Sequence, residues 1–221
     1  MSSEHAKQQI IARIRSAIGS ISADSIGSDA VISGYHGATK DADELINCFG
    51  ESLEQVGGQF HRCDNREQVA DKIAGIVKDI GAGAAIVSDD IAEEKIGCIR
   101  VLNEAGCTIL RQKSFSSELA EANVGITLAY AGIAETGTII IPHRSNNGRL
   151  AALLPPVHIA LLKKGTIYFN KPDLLAHLVD LNIDIKHTPM TWVTGPSLTA
   201  DIEKVLVRGA HGPRRMIVIL H

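Results

Sequence analysis

Three short polar stretches hold the residues of this 221-residue chain best suited to chemistry. The first, AGIAETGTIII at residues 131–141, sets Glu135, Thr136, Gly137 and Thr138 between apolar runs. A carboxylate held against apolar neighbours can have its pKa shifted for proton transfer or nucleophilic attack, which makes Glu135 a candidate catalytic group. The alternative is a hairpin in which Gly137 supplies the positive φ of a tight turn. The second stretch, TWVTGPSLTADIE at 191–203, reads as a strand passing through Gly195 and Pro196 into a helix. Ser197 or Thr199 would cap that helix and leave N–H groups free for an anion, with Gly195 letting backbone approach the ligand. The same residues also make an ordinary capped helix, with Asp201 and Glu203 complementing its dipole. The third, RGAHGPRR at 208–215, gathers Arg208, His211, Arg214 and Arg215 around two glycines and a proline. Arginines pair with carboxylate or phosphate, and His211 can exchange a proton near neutral pH. Against this stands a solvated turn before the last strand.

Other polar groups carry less. His143, Arg144 and Arg149 flank the turn residues Asn146-Asn147-Gly148. Of these, Arg149 is a candidate carboxylate or phosphate grip, and Arg144 reads as solvated. His158 lies inside the apolar run PPVHIALL and reads as a core histidine. The sequence has no H-E-x-x-H motif, so no metal site is expected. Cys48, Cys63, Cys98 and Cys107 include no C-x-x-C pair, so the chain is expected to hold neither a zinc ribbon nor an iron-sulfur cluster of its own, and its thiols to be free and buried. GAGAAIVSD, from Gly81, contains G-x-G but follows a helix and precedes a strand. A dinucleotide fingerprint needs the opposite order, so no nicotinamide or flavin cofactor is expected.

The elements that must position these groups read as alternating strands and helices. With 45 % hydrophobic residues but only 4 % aromatic, the core must be built from Ile, Val, Leu and Ala, which suits an α/β fold. A net charge of −3 gives no concentrated basic face, which argues against nucleic acid as a partner. LAALLPPVHIALL, at 150–162, is too short to span a bilayer. MSSEHAKQQIIARIR lacks the apolar core of a secretory signal, predicting a cytoplasmic chain that starts at this point. Ile10, Ile14 and Ile18 predict an amphipathic N-terminal helix over 4–18, and a Ser/Gly/Asp-rich connection follows. Residues 1–40 therefore read as a helical arm and 41–221 as the main domain.

Within that domain a helix is expected over about 41–56 and a strand at GGQFHRC. NREQVADKIAGIVKDIG predicts a helix opened by an Asn65/Gln68 capping box and closed at Gly81. Strands at AAIVSD, CTILR and VGITLAY, separated by helices at AEEKIGCIRVLNEAG and SSELAEAN, imply right-handed crossovers and a largely parallel, Rossmann-like sheet. From residue 131 to TIYF the pattern leaves no room for a helix and predicts a strand-rich, partly antiparallel insertion. Helices at KPDLLAHLVDL and SLTADIEKVLV then alternate with strands at MTWVT and RMIVIL.

GIAETGTIII, LLPPVHIALL and TGPSLTADIEKVLVRGAHGPR together resemble the signature blocks of the LUD-domain family, in its lactate utilization protein C branch, in the family's order. The resemblance runs from about residue 80 to residue 221 and is loose over the first 60 or so. It implies a three-layer Rossmann-like α/β fold similar to the ribose-5-phosphate isomerase, glucosamine-6-phosphate isomerase and CoA-transferase group. It also implies a role in L-lactate utilization, in a bacterial cytoplasmic complex that oxidises lactate to pyruvate with two iron-sulfur partners. On that implication this chain is the clusterless subunit, binding a small carboxylate or the partner subunits. The family's blocks fall on Glu135, Thr136, Gly137 and Thr138, on Pro155 and His158, on Gly195, Pro196, Ser197, Thr199, Asp201 and Glu203, and on Gly209, His211, Gly212, Pro213 and Arg214. The alternative function is a self-standing isomerase- or transferase-like enzyme for a phosphorylated or acyl-CoA molecule, with Glu135 as base or nucleophile. Both readings share one expectation: the three polar turns converge.

Overall fold

Arg215–Leu220 reads RMIVIL, and its five apolar residues are all buried because the strand has packed layers on both faces. Ile217 and Ile219 face one hydrophobic cluster and Met216, Val218 and Leu220 another. The computed structural model that shows this describes residues 41–92, 94, 96–110, 116–143, 146–180, 189–202, 205–209 and 212–221. The expected N-terminal helix, Arg144, Glu203 and His211 lie outside the described residues.

Along the chain come α1 (Ala42–Gln55), β1 (Gln59–Arg62), α2 (Arg66–Asp79), β2 (Ala84–Val87), a 3-10 turn (Asp89–Ala92), α3 (Cys98–Glu104), β3 (Thr108–Leu110), α4 (Ser116–Leu119) and β4 (Val124–Ala129). There follow β5 (Ala131–Ile133), β6 (Thr138–Pro142), α5 (Asn146–Leu153), β7 (Val157–Leu162), β8 (Ile167–Tyr168), α6 (Lys171–Asp180), β9 (Met190–Thr194), β10 (Leu198–Ile202), β11 (Val205–Arg208) and β12 (Arg215–Leu220).

The central sheet has six parallel strands in the order β1-β12-β7-β4-β2-β3. One face is covered by α2 and α3, through Val69, Ile73, Ile76, Val101 and Leu102. α2 begins as its sequence predicts: Asn65 Oδ1 accepts from the Gln68 N–H at 2.9 Å, and Gln68 Oε1 accepts from the Asp64 N–H. The other face meets α1, α5 and a second sheet, with Phe49, Leu53, Ile139, Ile141 and Ala152 in that core. α5 lies directly on β4, since a Cβ at Gly125 would fall 1.7 Å from the Ala151 carbonyl oxygen.

The second sheet, β8-β5-β6-β9, is the partly antiparallel extension expected after residue 131. Ile140 points away from the central core to meet Leu174 and Leu178 of α6, while Ile139 and Ile141 point toward it. The α/β three-layer expectation therefore holds. Two expectations do not. Residues 146–153, read as part of a strand-rich run, form α5, which ends just before Pro155-Pro156. The helix expected at SLTADIEKVLV, capped by Ser197 or Thr199, is not formed: Leu198–Ile202 and Val205–Arg208 pair as the antiparallel strands β10 and β11, with Leu198 opposite Arg208 and Thr199 opposite Val207. No helix among the described residues is long and apolar enough to cross a membrane.

Candidate functional site

The Glu135 turn is the four-residue loop of the β5-β6 hairpin, whose last pair is Ile133 with Thr138. Its first two residues are anchored through their backbone. The Ala134 and Glu135 N–H groups donate to the Tyr168 and Phe169 carbonyls, and Ser52 Oγ donates to the Glu135 carbonyl at 3.4 Å. Gly137 has φ +63°, and a Cβ there would lie 2.3 Å from the Leu53 backbone nitrogen. Gly195 has φ +75°, and a Cβ there would lie 2.7 Å from the Val56 carbonyl oxygen. Backbone does approach both glycines, as the sequence suggested for Gly195, but it is the C-terminal end of α1 and not a ligand. With Leu198–Ile202 and Val205–Arg208 paired as strands, Ser197 and Thr199 have no helix to cap, and the N-terminus expected to hold an anion is not formed there.

The first turn touches the start of the second, and the second touches Gly209 and Pro213 of the third. Thr136 Oγ1, Thr138 Oγ1 and Thr194 Oγ1 form a chain of hydroxyls spaced at 2.7 Å, tying the first turn to the second. The Ser197 N–H donates to the Pro213 carbonyl and the Ser197 carbonyl accepts from the Gly209 N–H, tying the second to the third. Arg214 is exposed, and its side chain fills the space beside Gly209. Glu135 and Thr136 are exposed as well, so the Glu135 carboxylate stands in solvent and the pocket wall expected around it is missing. The hairpin reading of AGIAETGTIII is the one this geometry bears out.

Arg149 stands apart from that cluster. Five residue steps along the chain separate Thr138 from His143, about 17 Å at the usual rise, and β9 runs alongside with Thr194 at one end and Met190 at the other. At the Met190 end His143 Nε2 and Thr191 Oγ1 share a hydrogen bond. Desolvation first, then the Arg149 charge, lowers the His143 pKa below the usual histidine value and favours a neutral ring. Asn147 Nδ2 donates to Asp89 Oδ1 at 2.8 Å, and Ser88 Oγ donates to Asp90 Oδ1. Sequence reading passed over Ser88, Asp89 and Asn147, because a Ser-Asp after a strand and an Asn-Asn-Gly triplet are common turn signals. The visible clue was their position, at the carboxyl end of β2 and ahead of an Ala/Leu-rich run.

Residues 46–221 match the LUD domain family. The chain belongs to that family. Over 183 residues it is 30 % identical to lactate utilization protein C of Anoxybacillus flavithermus, covering 80 % of each chain. A second relative, lactate utilization protein C 1 of Bacillus mycoides, is 29 % identical over 80 % of this chain and 79 % of its own. A third, lactate utilization protein C of Deinococcus radiodurans, is 36 % identical over 52 % of this chain and 55 % of its own. The crystal structure of a DUF162 family protein from Deinococcus radiodurans shares the fold with a TM-score of 0.57 at 21 % identity, covering 82 % of this chain and 98 % of that one.

His158 of the LUD domain is fully buried, with Nε2 bonded to Thr127 Oγ1 at 2.8 Å and Nδ1 without a partner. Burial lowers its pKa to about 4, so the ring is neutral and serves the core between β7 and α5, as the sequence suggested. Cys63, Cys98 and Cys107 are buried, and burial pushes the Cys98 thiol up to about 12. Among the described residues no three His, Cys, Asp or Glu side chains group as a metal site would require.

Proposed function

We propose that this chain works in L-lactate utilization, as the clusterless subunit of a cytoplasmic system that oxidises L-lactate to pyruvate beside iron-sulfur partner chains. The observation that carries this reading is the similarity to relatives named lactate utilization protein C along four-fifths of both chains. The cysteine chemistry supports it. Clusters of this kind are held by closely spaced cysteines, and Cys48, Cys63, Cys98 and Cys107 include no C-x-x-C pair. Oxidation of lactate releases an electron pair, and in this reading the partners carry it away while the LUD chain binds a small carboxylate or holds the partners together. Co-expression with the two iron-sulfur partners, with and without this chain, tests the reading through L-lactate-dependent dye reduction. The expected result is loss of dye reduction when the chain is omitted. Unchanged activity without it overturns the reading.

A further inference from the structure

The order of the central sheet reverses between β2 and β4: the chain steps outward from β2 to β3, then returns past β2 to lay down β4, β7 and β12 on the other side. In open α/β sheets, ligands settle outside the carboxyl ends of the strands at such a reversal. Three segments meet at this place in the LUD chain. Ser88 and Asp89 leave β2, Pro142 and His143 leave β6, and Asn147 and Gly148 open α5. Gly148 brings them together, since a Cβ there would sit 3.7 Å from the Pro142 carbonyl oxygen and 3.9 Å from Ser88 Cβ. Asn147 is 5 % exposed, and while its Nδ2 is held by Asp89, its Oδ1 is buried without a partner. A buried acceptor left unpaired is costly, and native proteins keep few of them. Arg149, two residues along α5, is exposed and close enough to His143 to act on its charge.

We infer that this crevice binds a small 2-hydroxy or 2-oxo carboxylate, with Arg149 and the first N–H groups of α5 taking the carboxylate and Asn147 and His143 meeting the oxygen on C2. A guanidinium pairs with a planar carboxylate through parallel hydrogen bonds, and a helix N-terminus favours the same charge. The Asn147 Oδ1 supplies the acceptor that a 2-hydroxyl needs, and a neutral imidazole can donate to a 2-oxo group or accept from a hydroxyl according to its tautomer. Asp89 and Asp90 orient Asn147 and Ser88, and their negative charge turns the ligand's carboxylate toward Arg149. The choice of acid rests on the proposed role in lactate utilization; the site itself rests on the geometry.

Binding is read by isothermal titration calorimetry, because Trp192 lies beside Lys171 on the opposite face of β9 from Thr191 and does not report on the crevice. The full chain is titrated with L-lactate, pyruvate, propionate and inorganic phosphate, and ligand-observed NMR provides a second readout. Saturable binding of lactate or pyruvate is expected, at least tenfold tighter than propionate, which lacks the C2 oxygen, and than phosphate. Arg149→Gln and His143→Gln each weaken it at least tenfold, and Lys78→Gln, in the last turn of α2, leaves it unchanged. No saturable binding of either acid, equal binding of propionate or phosphate, or an unaffected Arg149→Gln protein overturns the site. Any of these results can stand beside intact lactate-dependent dye reduction. Conversely, loss of the dye-reduction role with binding intact removes the lactate reading and leaves the crevice as a site for acids of this class.

Discussion

Acidification should destabilise this protein through His158 by an amount its burial fixes. The imidazole is fully buried against Thr127, and its pKa falls from 6.5 to about 4 because the charged form is desolvated. The unfolded chain binds this proton below pH 6.5, whereas the folded chain refuses it until about pH 4. Stability contributed by the neutral ring is therefore complete above pH 6.5, is lost as pH falls, and is exhausted near pH 4. At 1.36 kcal/mol per pH unit the loss is about 2 kcal/mol at pH 5 and about 3 kcal/mol at pH 4. Urea unfolding of the wild type and of His158→Gln at pH 7 and pH 5 isolates the effect. His61, His143 and His221, whose pKa values burial also lowers, titrate in both proteins and drop out of the difference. The wild type should lose about 2 kcal/mol more than the variant between the two pH values, and the His158 ring resonances should stay at their neutral positions down to pH 5. Parallel losses in the two proteins, or a ring that titrates near pH 6.5, would refute the reasoning.

Glycine substitutions separate open space from occupied space. Gly75 sits on the exposed face of α2, and a Cβ added there would meet nothing within 4 Å, so Gly75→Ala should raise stability by about 0.5–1 kcal/mol in chemical denaturation. Gly125→Ala drives a methyl into the Ala151 carbonyl oxygen, where neither backbone can yield, and should cost about 3 kcal/mol or more, read as loss of the cooperative unfolding transition or of soluble protein. With its pKa at about 12, the Cys98 thiol is ionised to about one part in 10⁴ at pH 8, so a thiol-specific reagent should label it only after denaturation, as peptide mapping would show.

The parts of the fold that could be read from the chain were those where local and tertiary preferences agree. Asn65 and Gln68 mark the start of α2 because the cap is made by neighbours in sequence, and the apolar runs of β7 and β12 mark strands buried on both faces. Residues 198–208 misled because Leu198, Ile202, Val205 and Leu206 fit a helical spacing. The same stretch also fits the period of two, through Leu198-Ala200-Ile202 and Val205-Val207, and its Thr, Ile and Val residues favour strands. α5 was missed because Asn146-Asn147-Gly148 reads as a turn and the apolar residues behind it merge with those of β7; only the double proline separates them. In the candidate sites, contact of the Glu135 turn with Thr194, and of Ser197 with Gly209 and Pro213, was legible because each stretch carries a glycine that tolerates close backbone. What approaches those glycines was not legible, since Leu53 and Val56 are more than 80 residues away in sequence from Gly137 and Gly195 respectively. The crevice beside Ser88 and Asn147 depends on strand order, which single-sequence periodicity does not encode.

A single residue, Tyr130, lies between β4 in the centre of the parallel sheet and β5 in the second one. Its N–H donates to Ile140 of the neighbouring strand β6, so even that residue is held by pairing. A junction this short has no slack. The second sheet cannot be traded, deleted or circularly displaced as a module in the way a loop insertion can, because its first strand is the outgoing end of one of the most deeply buried strands in the molecule. Freedom to change is left to the turns at its two ends, where Glu135 and His143 stand.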